Sequence, residues 1–298
     1  MLKIKVPATT ANIGPGFDCL GMALNMHLSI EVYKNTDKTS FVWKNSTEEV
    51  PLEKNMIFNT IKNILKLKNS ESNFKIIVKK NEIPISRGLG SSASAIVAGV
   101  YAANYILDNI LTEKEMLNIA CEIEGHPDNV VPAIKGGFQI SKKLNGKYIT
   151  SSVNVPENLK FVVYSPDFTV STEEARVILP DKYEKYDVFE NLSNLALLVN
   201  SFNNNDYENI KYALSDKIHQ PFRINLIKNG KEILNYSNEI GSLGEFISGS
   251  GPTLISLIKD DTTFIEKMKS FISKYNDNWN CIVTTVNRKG VEIEVIDE

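Results

Sequence analysis

A strand-like run, Phe74 to Lys79, leads through Pro84-Ile85-Ser86-Arg87-Gly88-Leu89-Gly90-Ser91-Ser92-Ala93-Ser94 into a small, apolar helix expected from about Ser91 to Leu107. Strand, glycine–serine loop and helix in that order restrict the chain more than any other segment. Glycine lets a backbone come close to an anion and point successive N–H groups at it. The helix adds its free N-terminal N–H groups and the positive end of its dipole. Serine hydroxyls bond phosphate oxygens or ligate Mg²⁺, a hard cation that prefers oxygen. The combination suits a nucleoside triphosphate. It is not a Walker A loop, because it holds no lysine; nor is it the dinucleotide fingerprint, because Ala93 or Ser94 stands where the third glycine belongs. A glycine pair alone is also compatible with a plain turn before a helix.

Composition excludes several functions. The 298 residues are 42% hydrophobic and 23% charged, the proportions of an ordinary soluble globular protein. With 33 basic and 36 acidic side chains the formal net charge is −3, so no global basic field would hold nucleic acid or an anionic membrane. Cys19, Cys121 and Cys281 are far apart and form no CxxC pair, which argues against a disulfide framework or a zinc knuckle. The start, Met1 to Pro7, has no apolar signal core, and the longest apolar run, about 93–103, is too short to cross a bilayer. A cytoplasmic protein with reduced thiols is expected.

The remaining patterns predict a strand at Leu2 to Val6 and a glycine-containing loop at 11–21. A helix over 56–67 follows behind the cap Asn55, and a second, 113–124, opens on the capping box Thr112 to Glu115. Beyond residue 155 come a buried-type strand at 161–164, helices near 172–178, 187–203, 206–218 and 230–240, and strand, helix and two strands at 253–258, 262–275, 281–286 and 291–296. Strands and helices mixed without a regular βαβ rhythm predict an α+β fold, with units 1–155 and 156–298.

Two further glycine-bearing segments stand out: Pro7-Ala8-Thr9-Thr10-Ala11-Asn12-Ile13-Gly14-Pro15-Gly16-Phe17-Asp18-Cys19-Leu20-Gly21 and Ser248-Gly249-Ser250-Gly251-Pro252-Thr253. Each alone reads as a turn whose Asn or Asp serves the local backbone. Together with 84–94 they resemble the three motifs of the GHMP small-molecule kinases in order, spacing and total length. Within that superfamily the chain most resembles the homoserine kinases, through the 7–18 start, Glu124-Gly125-His126-Pro127-Asp128-Asn129-Val130, Ser171-Thr172-Glu173-Glu174-Ala175-Arg176 and His219-Gln220-Pro221-Phe222-Arg223. The resemblance implies two lobes, an N-terminal one with the nucleotide loop and a ferredoxin-like C-terminal one, with the active site in the cleft between them. It implies phosphorylation of the hydroxyl of L-homoserine by ATP, a step of threonine biosynthesis. Its members are often homodimers, a point that composition does not decide here.

Arginine usage is an independent signal. Only Arg87, Arg176, Arg223 and Arg288 are arginine among the 33 basic residues, so the chain takes lysine wherever a simple surface charge suffices. An arginine kept against that bias suggests a planar fork toward carboxylate or phosphate. Arg87 lies in the phosphate-like loop, and Arg176 and Arg223 in the segments shared with the homoserine kinases; Arg288 matches no motif and is expected in solvent. The resemblance assigns ATP to Pro84 through Ser94, and Mg²⁺ to Ser92 and Glu124. It assigns the acceptor to Asn12, Asp18, His126, Asn129, Arg176, Arg223 and Gly249, with catalytic weight on Asn129 and Arg176. In this reading Asp18 faces the substrate ammonium, the two arginines hold its carboxylate, and Asn129 stands where several relatives carry an aspartate base. Neighbouring Asp128 leaves the proton's destination open.

Three other functions compete. A mevalonate- or sugar-type GHMP kinase would leave an acidic Asp18 beside an anion clamp unexplained. A non-enzymatic nucleotide-binding regulator is disfavoured by the presence of both Ser92 and Glu124. A serine hydrolase lacks the GxSxG elbow, since Gly249-Ser250-Gly251 has the wrong spacing. Replacing Gly90 with Val is expected to abolish ATP binding with the fold intact, because a Cβ would occupy the phosphate approach.

Overall fold

The computed structural model describes residues 1–44, 52–259 and 261–296. Among these, seven strands form one sheet and four form another. The first sheet begins with β1 (Leu2–Ala11) and the long β2 (Leu20–Lys34), paired antiparallel. The alternation Leu24, Met26, Leu28, Ile30, Val32 is buried, while Asn25 between them is exposed. That period of two is present in the sequence, although no strand is among the elements expected there. β2 then divides the sheet. Its second half pairs with β4 (Phe74–Asn81), which carries β3 (Ser40–Trp43) in parallel, and its first residues pair with β5 (Phe138–Leu144), which carries β6 (Lys147–Val153).

Helices α1 (Met56–Leu67), α2 (Ser91–Ile106), α3 (Glu113–Glu124) and α4 (Pro127–Lys135) follow the strands of this sheet. The Asn55 side chain accepts from the Phe58 N–H, and the Thr112/Glu115 capping box forms, as the residue types require. α2 buries eleven of its 16 residues and packs on β1, α1, α3 and α4. Helix α4 is not among the elements expected from the sequence. Pro127 stands at its first position, where the missing N–H costs nothing, behind an extended His126. α4 approaches β2 so closely that a Cβ on Gly21 would lie 1.6 Å from the Asp128 carbonyl oxygen. This contact needs glycine, and it sets where Asp128 and Asn129 stand.

The second sheet runs β10 (Asn280–Thr284), β7 (Lys160–Ser165), β9 (Leu254–Ile258), β8 (Gly244–Ile247), all antiparallel. Between β7 and β8 lie α5 (Thr172–Val177), α6 (Lys185–Asn204), α7 (Tyr207–Ala213), α8 (Gln220–Arg223) and α9 (Gly230–Glu239); α10 (Thr262–Ile272) joins β9 to β10. A βαββαβ path with strand order 4-1-3-2 is the ferredoxin-like arrangement the resemblance implies. Both faces of the sheet are covered. Phe161, Val163, Phe246, Ile255 and Leu257 join the core of the first sheet, and Val162, Tyr164, Ile247, Leu254 and Ile258 join a second core with α9 and α10. The helix expected at 206–218 stops at Ala213, because the Asp216 carboxylate takes the N–H groups of Ile218, His219 and Gln220 and turns the chain into α8. β11 (Glu292–Val295) then returns to pair with β1. The last strand therefore belongs to the first sheet, a return that a division of the chain at one point does not contain.

Candidate active site

Three loops converge at the end of β1. The Thr9 N–H donates to the Leu89 carbonyl (3.1 Å) and the Gly249 N–H to the Ala11 carbonyl (3.1 Å); the Ser248 hydroxyl reaches Thr10 Oγ1 at 2.8 Å. Asn12 Nδ2 and Arg223 Nη1 both donate to the Gly249 carbonyl, at 2.9 and 3.0 Å. The cleft they frame has a volume of about 290 Å³ and is lined by loops and helix ends from both halves of the chain.

One wall is the start of α2. Gly90 caps it at φ 65° with no side-chain hydrogen bond, and Gly88, Gly90, Ser91 and Ser92 line the cleft. The free N–H groups and the dipole of a 16-residue helix thus open into the cavity. The Ser92 hydroxyl donates to Glu124 Oε2 at 2.6 Å, and burial pushes the Glu124 carboxyl up against that hydrogen bond's opposite pull. Beside this wall a second, apolar cavity of about 300 Å³ is lined by Phe41, Trp43, Met56, Ile57, Ile85 and Ala95, and shares Ser86, Ser91 and Ser92 with the cleft.

Further charged and polar side chains line the same cleft. His126 Nδ1 lies 2.6 Å from Asp128 Oδ1, and this neighbour raises the imidazole's pKa. Asn129 donates to the same oxygen at 3.3 Å and accepts from the Thr9 hydroxyl at 2.7 Å. Arg223 is 2% exposed. Its Nε donates to the Ala175 carbonyl at 2.9 Å, its guanidinium lies 4.9 Å from the centre of the Phe17 ring, and among the described residues no carboxylate lies within 4.0 Å of it. Burial and the Arg176 charge pull its pKa down to about 10. Behind it His219 is fully buried, stacked on Phe17, with Nε2 2.9 Å from the Gly14 carbonyl.

The structure brings Asn12, Asp18, His126, Asn129, Arg176, Arg223, Gly249, Ser92 and Glu124 to one cleft. Several directions differ from expectation. Asp18 forms a two-pronged pair with Arg176, at 2.9 and 3.0 Å, instead of standing open for an ammonium. The Gly249 carbonyl is taken by Asn12 and Arg223. Arg87 does not enter the cleft: it donates to the carbonyls of Ile85, Pro166 and Asp167 and ties the loop to the end of β7. Leu89 and Ala93 are buried in the core, and Ser94 is a brace whose hydroxyl donates to the Pro7 and Gly90 carbonyls. Arg288 is no free surface charge either, since it donates to the Val155 carbonyl at 2.6 Å. A Cβ at Gly90 would meet Thr9 Oγ1 at 1.9 Å, so valine there collides with β1, not with the phosphate approach. Sequence reasoning passed over Thr9, Phe17, Ser171 and Thr172; each lay inside a quoted motif, but no residue type marked it.

Residues 55–137 match the family model "GHMP kinases N terminal domain" and residues 190–275 match "GHMP kinases C terminal". A homoserine kinase of Clostridium novyi (strain NT) is 44% identical over 295 residues, covering 98% of this chain and 99% of the relative. One of Clostridium acetobutylicum is 43% identical, covering 98% and 100%. The crystal structure of homoserine kinase from Cytophaga hutchinsonii superposes with a TM-score of 0.86 at 30% identity, covering 98% of this chain and 97% of that one. A mevalonate kinase at 18% identity, with a TM-score of 0.72, shares the fold. Sequence, fold and cleft agree: the chain belongs to the homoserine kinases of the GHMP kinase family.

Proposed function

We propose that this chain transfers the γ-phosphoryl group of ATP to the hydroxyl of L-homoserine, giving O-phospho-L-homoserine. The observation that carries this reading is Arg223, a buried guanidinium without a carboxylate partner among the described residues, lining the same cleft as an anion-seeking helix start. A buried cation of this kind is stabilised by a bound carboxylate. ATP phosphates fit Gly88, Gly90, Ser91 and Ser92, and the adjoining apolar cavity fits the adenine. The remaining residues of 84–94 act by shaping the loop. Ser92 and Glu124 are oxygen donors 2.6 Å apart at that cradle, and among the described residues no group of three or more His, Cys, Asp or Glu forms a metal cage. Two donors fit Mg²⁺ that arrives on the phosphates, and the ion, when bound, neutralises charge on the β- and γ-phosphates.

In the transfer the homoserine hydroxyl oxygen bonds to the γ-phosphorus while the bond to the bridging oxygen breaks, ADP leaving with the electron pair and the hydroxyl proton being released. Positioning and charge neutralisation carry most of such a reaction. Arg223 and Arg176 hold the carboxylate, Asp18 and His126 hold the amino-acid end once the substrate has parted the Asp18–Arg176 pair, and Asn129 donates toward the reacting oxygens. The lobes 1–155 and 156–298 are proposed as the two sides that position these groups, with β11 crossing back. A cytoplasmic setting is part of this proposal; the three cysteines are unpaired, and among the described residues no helix is long and apolar enough to cross a membrane. The homodimer is checked by light scattering, where twice 33.4 kDa supports it. The activity test is ADP release with homoserine, mevalonate, shikimate and galactose as acceptors. Selective turnover of homoserine supports the reading, and preference for another acceptor refutes it.

A further inference from the structure

We infer that Thr9 is a positioning residue for phosphoryl transfer, its hydroxyl holding the Asn129 side-chain amide so that an N–H, and not the carbonyl, faces the cleft. The inference rests on the proposed function for the meaning of the cleft, though not for the geometry. Asp128 already accepts from His126 at 2.6 Å, and its Oδ1 stands 3.3 Å from Asn129. An ionised carboxylate only accepts hydrogen bonds, so the edge of Asn129 turned to it is the NH₂ edge. The amide oxygen is then aimed the other way, into a buried place between β1 and α2, and requires a donor there.

Thr9 supplies it. Its side chain is fully buried and its Oγ1 lies 2.7 Å from Asn129 Oδ1. The phosphate loop packs against this residue: the Thr9 N–H donates to Leu89, and the Gly90 backbone lies so close to the hydroxyl that a Cβ would be 1.9 Å from Oγ1 and 3.1 Å from Asn129 Oδ1. One Asn129 N–H is spent on Asp128, and among the described residues the other has no protein partner. Asn129 lines the cleft, so this second N–H is the one available to a reacting oxygen. Thr9 thereby couples the nucleotide loop to the orientation of Asn129. Without the hydroxyl, the buried amide oxygen loses its partner and turns toward the cleft, taking the donor away from it.

The test is Thr9→Val, which preserves shape and removes the donor, beside Thr9→Ser, which keeps the donor. Expected for Thr9→Val is a loss of about 10- to 100-fold in kcat, a fraction of what losing an aligned donor outright costs. The KM values for ATP and homoserine should stay within about threefold, as for an interaction made only in the transition state. Thr9→Ser should restore kcat. In the ligand-free protein, NMR of the Asn129 side-chain NH₂ should show faster exchange in Thr9→Val than in wild type. Should Thr9→Val not fold, Thr9→Ala replaces it in both measurements. Wild-type kcat in the hydroxyl-free variant, a loss confined to the KM for ATP, or an unaltered Asn129 signal would overturn the inference. A wild-type enzyme that does not turn over homoserine refutes the proposed function instead, and the ligand-free NMR comparison still decides the role of Thr9.

Discussion

Replacing Arg223 with Lys keeps the charge and removes the fork. In the structure Nε and Nη1 reach two carbonyls on different segments, Ala175 at 2.9 Å and Gly249 at 3.0 Å, and the guanidinium lies 4.9 Å from the Phe17 ring centre. A lysine ammonium reaches one of those carbonyls at most. Gly249 keeps its bond from Asn12, so the group left without a partner is the buried Ala175 carbonyl. Losing that bond costs about 2–3 kcal/mol, which corresponds to a fall in Tm of about 3–5 °C for a chain of this size. The acceptor carboxylate loses one charge-assisted bond of about 1.5–3 kcal/mol, or roughly 10- to 150-fold in kcat/KM for homoserine. The KM for ATP should barely move, because the nucleotide cradle is on the α2 wall. Thermal melts and steady-state kinetics with each substrate varied decide it. Unchanged homoserine kinetics, or an equal loss for ATP, refutes the carboxylate assignment, and an unchanged Tm refutes the strut between α5 and the third loop.

Glu124→Gln should retain the Ser92 contact and the fold but reduce turnover about 10²-fold or more, with part of it recovered at high Mg²⁺; wild-type activity would make Glu124 structural. Asp18→Asn should lower kcat/KM for homoserine with little change in melting temperature, because the Asp18–Arg176 side chains are 39% and 41% exposed and such pairs contribute about 1 kcal/mol or less. His219 is held neutral by burial, its pKa lowered, so the unfolded chain binds the extra proton and stability should fall as pH drops below about 6.5. His126 has the opposite sign: paired with Asp128 its pKa is raised, so its contribution is present below about 6.5 and is lost as pH rises through the folded-state value. Melts of wild type, His219→Gln and His126→Asn across pH 5 to 8 separate the two, and parallel curves for all three would refute both.

Much of the local structure was legible because its causes are local. Asn55 and the Thr112/Glu115 box start helices through contacts within one turn, and α2 begins at Ser91 as its loop demands. Apart from β2, whose alternation is local, the strands that do not stand out in the sequence are those whose evidence is elsewhere. β8 has four residues and exists by pairing with β9, and β5 and β6 form a hairpin anchored on the first residues of β2. Helix α4 was legible in Pro127 but masked by an Asp-Asn pair that also suits a turn.

The residue types already carried the family, the α+β class and the chemistry of the site: an anion cradle, a carboxylate with a hydroxyl, and arginines kept where lysine would otherwise serve. Their directions were decided by the tertiary structure. Arg87, placed in the nucleotide loop by sequence, spends its fork on the carbonyls of Pro166 and Asp167, about eighty positions away. Arg176 finds Asp18 across 158 positions, and Thr9 finds Asn129 across 120. Position in a motif says which groups are near the cleft. A flexible side chain points to whichever partner the packed chain leaves within about 3 Å, and that partner is set by how β1, α2, α4 and the second sheet come together.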